Sequence, residues 1–216
     1  MSVSWLSVIA LVLSLATLAA IGAGSPHPGS LGPNAVEALG AVALQLQFGG
    51  LVLLALITGR WWKSSNSTFV DGGWPSLRSL AMSAPVFTLA QIALGAAYRY
   101  KLVGVIPHVA WAFVAAIVLL MFGAFVLVQA DAAMSLKRMA GVLISLVCVQ
   151  VMLGVAALLA RVARLEKARW MEISTTAHLM TGALVLGCSL VLAAFVVRSA
   201  QPAQEGSQLA TPGSPS

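Results

Sequence analysis

The chain has 216 residues, of which 60% are hydrophobic and only 8% charged, with a formal net charge of +6. A mean hydropathy of +0.96 excludes a soluble globular domain, because no water-exposed surface is so apolar. The twelve basic residues are dispersed over loops and helix ends, which argues against nucleic acid and for anionic lipid head groups or carboxylates as their partners.

Six apolar stretches are long enough to span a bilayer, which takes about 20 residues: Val3–Ile21, Leu39–Thr58, Leu80–Tyr98, Val105–Gln129, Leu136–Ala160 and Met171–Val197. The first resembles a signal peptide in position, with a small-residue site near Ala23-Gly24. It has no Lys or Arg at its start and outruns a normal apolar core of such a peptide, so it is counted as a span. The expected class is therefore an all-α polytopic membrane protein. Residues 1–60 hold two N-terminal spans, and residues 61–77 form a polar loop with Lys63, Asp71 and Gly72-Gly73. Residues 78–199 form a four-helix bundle, and 200–216, rich in Pro, Gln, Gly and Ser, are expected to be a disordered tail. Pro107 falls where a first helical turn tolerates proline.

Charge does not orient the chain. With the N-terminus on the cytoplasmic side, Arg60, Lys63, Arg78, Lys137, Arg138 and Arg198 lie inside. Arg99, Lys101, Arg161, Arg164, Lys167 and Arg169 lie outside, so the positive-inside rule abstains.

The third to sixth spans carry a repeat. Gln91-Ile92-Ala93-Leu94-Gly95 ends one span and His108 opens the next; Gln150-Val151-Met152-Leu153-Gly154 ends another and His178 opens the last. An imidazole within a bilayer is costly unless it has a partner. Two of them at matching places in a duplicated hairpin, opening from the same membrane face, are what a haem b with two axial histidines requires. Ala112 and Ala115 share a face with His108, and Gly182 shares one with His178, which leaves room for a flat macrocycle. Gln91 and Gln150 are placed to hydrogen-bond across the helices, and Gly95 and Gly154 to let helices approach. Helix packing alone also accounts for the two Gln-x-x-Leu-Gly runs. Arg99 and Arg161, at the histidine face, suit haem propionates through their bidentate forks. Cys148 and Cys188 read as free packing cysteines, and His27 as a solvated loop residue. No Cys/His/Asp/Glu cluster has metal-ligand spacing, and there is no phosphate loop, nucleophile elbow or carboxylate pair.

On these residues the chain resembles the haem A synthase family of cytochrome oxidase assembly proteins. The likeness rests on Gln91 to Arg99 followed by Pro107-His108, and on Gln150 to Gly154 followed by Ala177-His178-Leu179-Met180-Thr181-Gly182. It covers residues 78 to 198. It implies two similar four-helix bundles, a b-type haem held in the second by His108 and His178, and oxidation of a methyl group that converts haem O to haem A. It also implies haem O synthase and oxidase assembly factors as partners, a membrane oligomer as a candidate state, and a bacterial plasma membrane as the location. The chain departs from the family in its first half. Ala43, Gln45 and Phe48 follow the family's run, but Gly40 stands near the expected histidine, and Glu37 is not equated with the family's loop acid. No histidine lies in the first two spans, so the first bundle is halved. The residues leave open whether the chain is an oxidoreductase by itself. The rival expectation is a non-catalytic b-type electron-transfer cytochrome or an accessory subunit of a respiratory or photosynthetic complex.

Overall fold

The computed structural model describes residues 33–64, 68–129, 132–163 and 169–202, together with Ile9. Apart from Ile9, the expected first span Val3–Ile21 lies outside them, as do His27, Arg164, Lys167 and the tail beyond Pro202. The described chain is helical: α1 (Pro33–Thr58), α2 (Arg60–Ser64), α3 (Leu77–Arg99), α4 (Val105–Val128), α5 (Met134–Val162) and α6 (Arg169–Ser199), with short strands β1 (Phe69–Asp71) and β2 (Ala200–Pro202). Five of the helices are long and apolar enough to cross a membrane. In lipid, a helix satisfies all its own backbone groups, which is why each apolar stretch takes this form.

α3 begins three residues before its apolar stretch, and its first turn is capped by polar side chains. The first four N–H groups of α3 lack helical partners by geometry. Here Asp71 accepts from the amides of Leu77 and Arg78, both at 2.9 Å, and Ser76 Oγ accepts from Ser79 at 3.1 Å. The Ser76 carbonyl accepts from Leu80. α3 ends in a tight turn in which Lys101 takes φ 62° and the Leu102 amide donates to Ala97 at 2.8 Å. That left-handed residue reverses the chain within five residues, so α4 returns along α3 and His108 comes back to the level of Gln91.

α3 packs on α4, α4 on α5, α5 on α6 and α6 on α3, closing a ring, while α1 lies against α3 and α6. α1 and α6 run the same way: Phe48 and Val52 approach Gly187, and further along Trp62 packs on Phe195. Lipid tails are as apolar as leucine, so van der Waals fit holds such helices together rather than escape from water. That fit is concentrated at one end. Phe122, Val126, Leu136, Leu143, Leu186, Leu192, Phe195 and Val196 are fully buried there.

Two features of the connections differ from the expectation. The loop assigned to 61–77 contains most of α2 and all of β1, and the tail assigned to 200–216 begins with β2. The two strands pair in parallel, Phe69 with Ala200 and Val70 with Gln201. Ala200 and Phe69 are buried in this pairing. It ties the start of the helix ring to its end, and Gln129 donates to the Val70 carbonyl at 3.3 Å from the α4 terminus.

Candidate functional site

The opposite end of the ring is built differently. Across residues 89–95 of α3, 105–114 of α4, 148–159 of α5 and 175–184 of α6, no residue is fully buried. This loosely packed level is where both Gln-x-x-Leu-Gly runs and both histidines fall. α4 and α6, which carry the histidines, are not neighbours in the ring and face each other across it.

Each histidine sits on the helix before it. The Gln91 amide donates to His108 Nδ1 at 3.2 Å and lies 3.5 Å from Nε2. A Cβ added to Gly95 would stand 3.0 Å from His108 Cε1, so only glycine leaves the ring this place. The same pair recurs in the second hairpin: the Gln150 amide lies 3.3 Å from His178 Nε2, and a Cβ on Gly154 would stand 3.1 Å from His178 Cε1. Gln and Gly are one helical turn apart and share a face. The repeat read in the sequence is therefore a repeat of contacts. The first hairpin is pinned one turn deeper by Trp111, which donates to the Phe87 carbonyl at 3.2 Å and stacks on the Phe87 ring.

Several buried polar atoms at this end have no partner: Gln45 Oε1, Gln91 Oε1, Gln150 Oε1, Ser174 Oγ and His178 Nδ1. An unpaired polar atom costs about 1–3 kcal/mol when buried. With five here and, among the described residues, none at the densely packed end, this region is short of partners.

The remaining expected site residues are distributed unevenly. Arg99 is exposed at the end of α3. Arg161 reaches across to α3, donates to the Tyr98 hydroxyl, and places its guanidinium 5.0 Å from the Tyr98 ring centre. Tyr98 stacks on His108 with ring centres 6.0 Å apart and planes 13° apart. Tyr98 was given no role of its own from the sequence, although its place seven residues after Gln91 puts it on the same face as Gly95. Ala115 is buried and Ala112 partly so, on the face of His108. The space left by Gly182 is taken: the Gln150 amide nitrogen stands 3.2 Å from where its Cβ would be. Among the described residues no group of three or more His, Cys, Asp or Glu side chains gathers to hold a metal ion. Cys148 and Cys188 are free thiols.

Comparison of the chain with protein-family models, with curated proteins and with solved structures gives no match.

Proposed function

We propose that this chain binds one b-type haem between His108 and His178, and that it serves in haem A formation and cytochrome oxidase assembly in a bacterial plasma membrane. The observation that carries the haem is the pair of equivalent Gln–Gly–His seats. They stand on helices that face each other across the ring, at the one level where no residue is fully buried. We read the ring as a four-helix bundle and Val3–Ile21 as a sixth span beside α1.

The side chains suit such a group. A haem held this way supplies one-electron chemistry. An imidazole that binds iron through Nε2 carries a proton on Nδ1, and that proton needs an acceptor. Gln91 and Gln150 each have a buried amide oxygen with no partner. Turning the Gln91 amide about its last bond brings its oxygen to His108 Nδ1, so Gln91 can fix the orientation of that histidine, whereas Gln150 stands at His178 Nε2. Ala112 and Ala115 keep the His108 face of α4 low, and the apolar helices exclude water. Arg99, exposed at the histidine end, is the first candidate to pair with a propionate through its fork. Arg161, the other expected partner, is engaged with Tyr98.

The role in haem A formation rests on the resemblance of the Gln–His repeat to haem A synthases, with haem O synthase and oxidase assembly factors as the implied partners. A second reading, an electron-transfer cytochrome or accessory subunit, is favoured by α1, which packs on the ring and contributes no histidine. Haem extracted from cells that make haem O, with and without this protein, separates the two. Haem A that appears only with the protein supports the first. A low-spin haem protein that leaves haem O unchanged supports the second and overturns the first.

A further inference from the structure

α1 and α5 both pack on α6, and between them they leave a groove along its outer side. Phe48 and Val52 of α1 form one wall, Met139 and Leu146 of α5 the other, and Gly187 and Cys188 of α6 the floor. The groove holds about 420 Å³, and no side chain that lines it carries a charge, an amide or a hydroxyl. Leu186 and Ala193, on the opposite side of α6, are buried, so the groove faces out of the ring. α5 and α1 are also the least covered of the five described spans, with 11% and 17% of their apolar windows buried against 28% to 44% in the others. The helices that lack a neighbour are the two that wall the groove.

The chain carries one more stretch of the right length. Val3–Ile21 lies outside the described residues apart from Ile9. As a helix it would measure about 28 Å, close to the bilayer core of about 30 Å. α1 starts at the histidine end, because it runs with α6, so a span preceding α1 ends at that face and runs antiparallel to both. Residues 22–32 join the two and reach up to about 36 Å. Packed helix axes stand about 8–10 Å apart, so the span can lie directly against α1. Alternating four- and three-residue steps along it give Val3, Ser7, Ala10, Ser14, Thr17 and Ile21. These positions form one helix face, small through its middle, and small faces are what let helices approach closely in lipid. Val8, Val12 and Leu15 fall on the other face.

We propose that Val3–Ile21 is retained as a helix that fills this groove, with its small face on Gly187 and Cys188. The proposal rests on the reading of Val3–Ile21 as a span and is independent of the haem. α6, the helix that carries His178, is then enclosed by α1, α3, α5 and this span. With the midpoint Val12 at the level of Leu186, the midpoint of Ile173–Ser199, Ala10 comes to the level of Cys188 and Ser14 lies one turn nearer the histidines.

The test uses the full chain in its membrane, with Cys148→Ser so that Cys188 is the one native thiol left. Ala10→Cys, Ser14→Cys and Val12→Cys are made singly in that chain, and the membranes are oxidised with copper phenanthroline. A disulfide needs Cα atoms within about 7 Å of each other. It is read as loss of both thiols to a polyethylene glycol maleimide after denaturation, at monomer mass. Closure in Ala10→Cys or Ser14→Cys, with Val12→Cys left open, is the expected result. Closure in neither, or equal closure in Val12→Cys, overturns the proposal and leaves the span reading standing. A disulfide-linked dimer also overturns it, because a second copy then occupies the groove. A membrane-embedded chain whose mass lacks residues 1–23 removes the span reading and the proposal together.

Discussion

Replacing Gly95 with alanine sets two effects of opposite sign against each other. In a helix interior, alanine is better than glycine by about 1 kcal/mol, because glycine has more backbone freedom to lose. Against this, the new methyl would stand 3.0 Å from His108 Cε1 and 3.4 Å from Nδ1. Carbon atoms rest at about 3.5–4.0 Å, so the imidazole must retreat by a few tenths of an ångström. It has little room to do so, held by the Gln91 amide at 3.2 Å and lying against Tyr98. Overpacking of this kind costs about 1–3 kcal/mol. The clash outweighs the propensity gain, and Gly95→Ala is expected to be destabilised by up to about 2 kcal/mol with a displaced histidine and a disturbed low-spin spectrum. Gly141→Ala on α5 is the control, because a Cβ there meets nothing within 4 Å; it is expected to be neutral or stabilised by about 1 kcal/mol. The assay is reversible unfolding in mixed micelles, with the haem spectrum of each variant recorded beside it. If both variants gain the same stability and Gly95→Ala keeps an unchanged spectrum, the seat is not what positions His108.

Other expectations follow from single contacts. Gln91→Leu removes the amide beside His108; with no acceptor for its Nδ1 proton, the ligand is less basic and the haem midpoint potential should rise. An unmoved potential with haem retained would show that Gln91 only packs. Arg99→Gln should lower the same potential, since a nearby cation favours the added electron; no change in a loaded protein would make Arg99 a lipid anchor. Asp71→Ala strips two amide partners from the start of α3 and should cost about 1–2 kcal/mol in the same unfolding assay. Lys101→Gly relieves a left-handed residue at φ 62° and should gain about 1 kcal/mol, whereas a loss would mean that the lysine side chain itself holds the turn.

The last five spans were legible because their hydropathy has no competing explanation in a chain this apolar, and each falls on a helix, Val105–Gln129 overrunning its helix by one residue. The histidine seats were legible because duplication fixes them twice: Gln and Gly at i and i+4, then a short turn that brings the next helix back. What the sequence did not disclose was non-local or shared between helices. The β1–β2 pairing joins three-residue strands on either side of the ring, at Phe69 and Ala200, too short for alternation to register. Arg161 carries no sign of its target, and an arginine at a helix end suits a propionate or a lipid phosphate equally. Its contact with Tyr98 depends on α3 and α5 facing each other across the ring. Gly182 looked like room for a macrocycle, and the Gln150 amide fills that room. Spacing along one helix says which residues share a face, but not which side chain from the next helix arrives there.

The most direct measurement is the pyridine haemochrome content and reduced-minus-oxidised spectrum of the purified chain. Only His108 and His178 lie in apolar spans, and His27 is the one other histidine of the chain, so a single haem b with low-spin bands is expected per polypeptide. A protein folded and free of haem when produced in haem-replete cells, or one carrying two haems per chain, contradicts it.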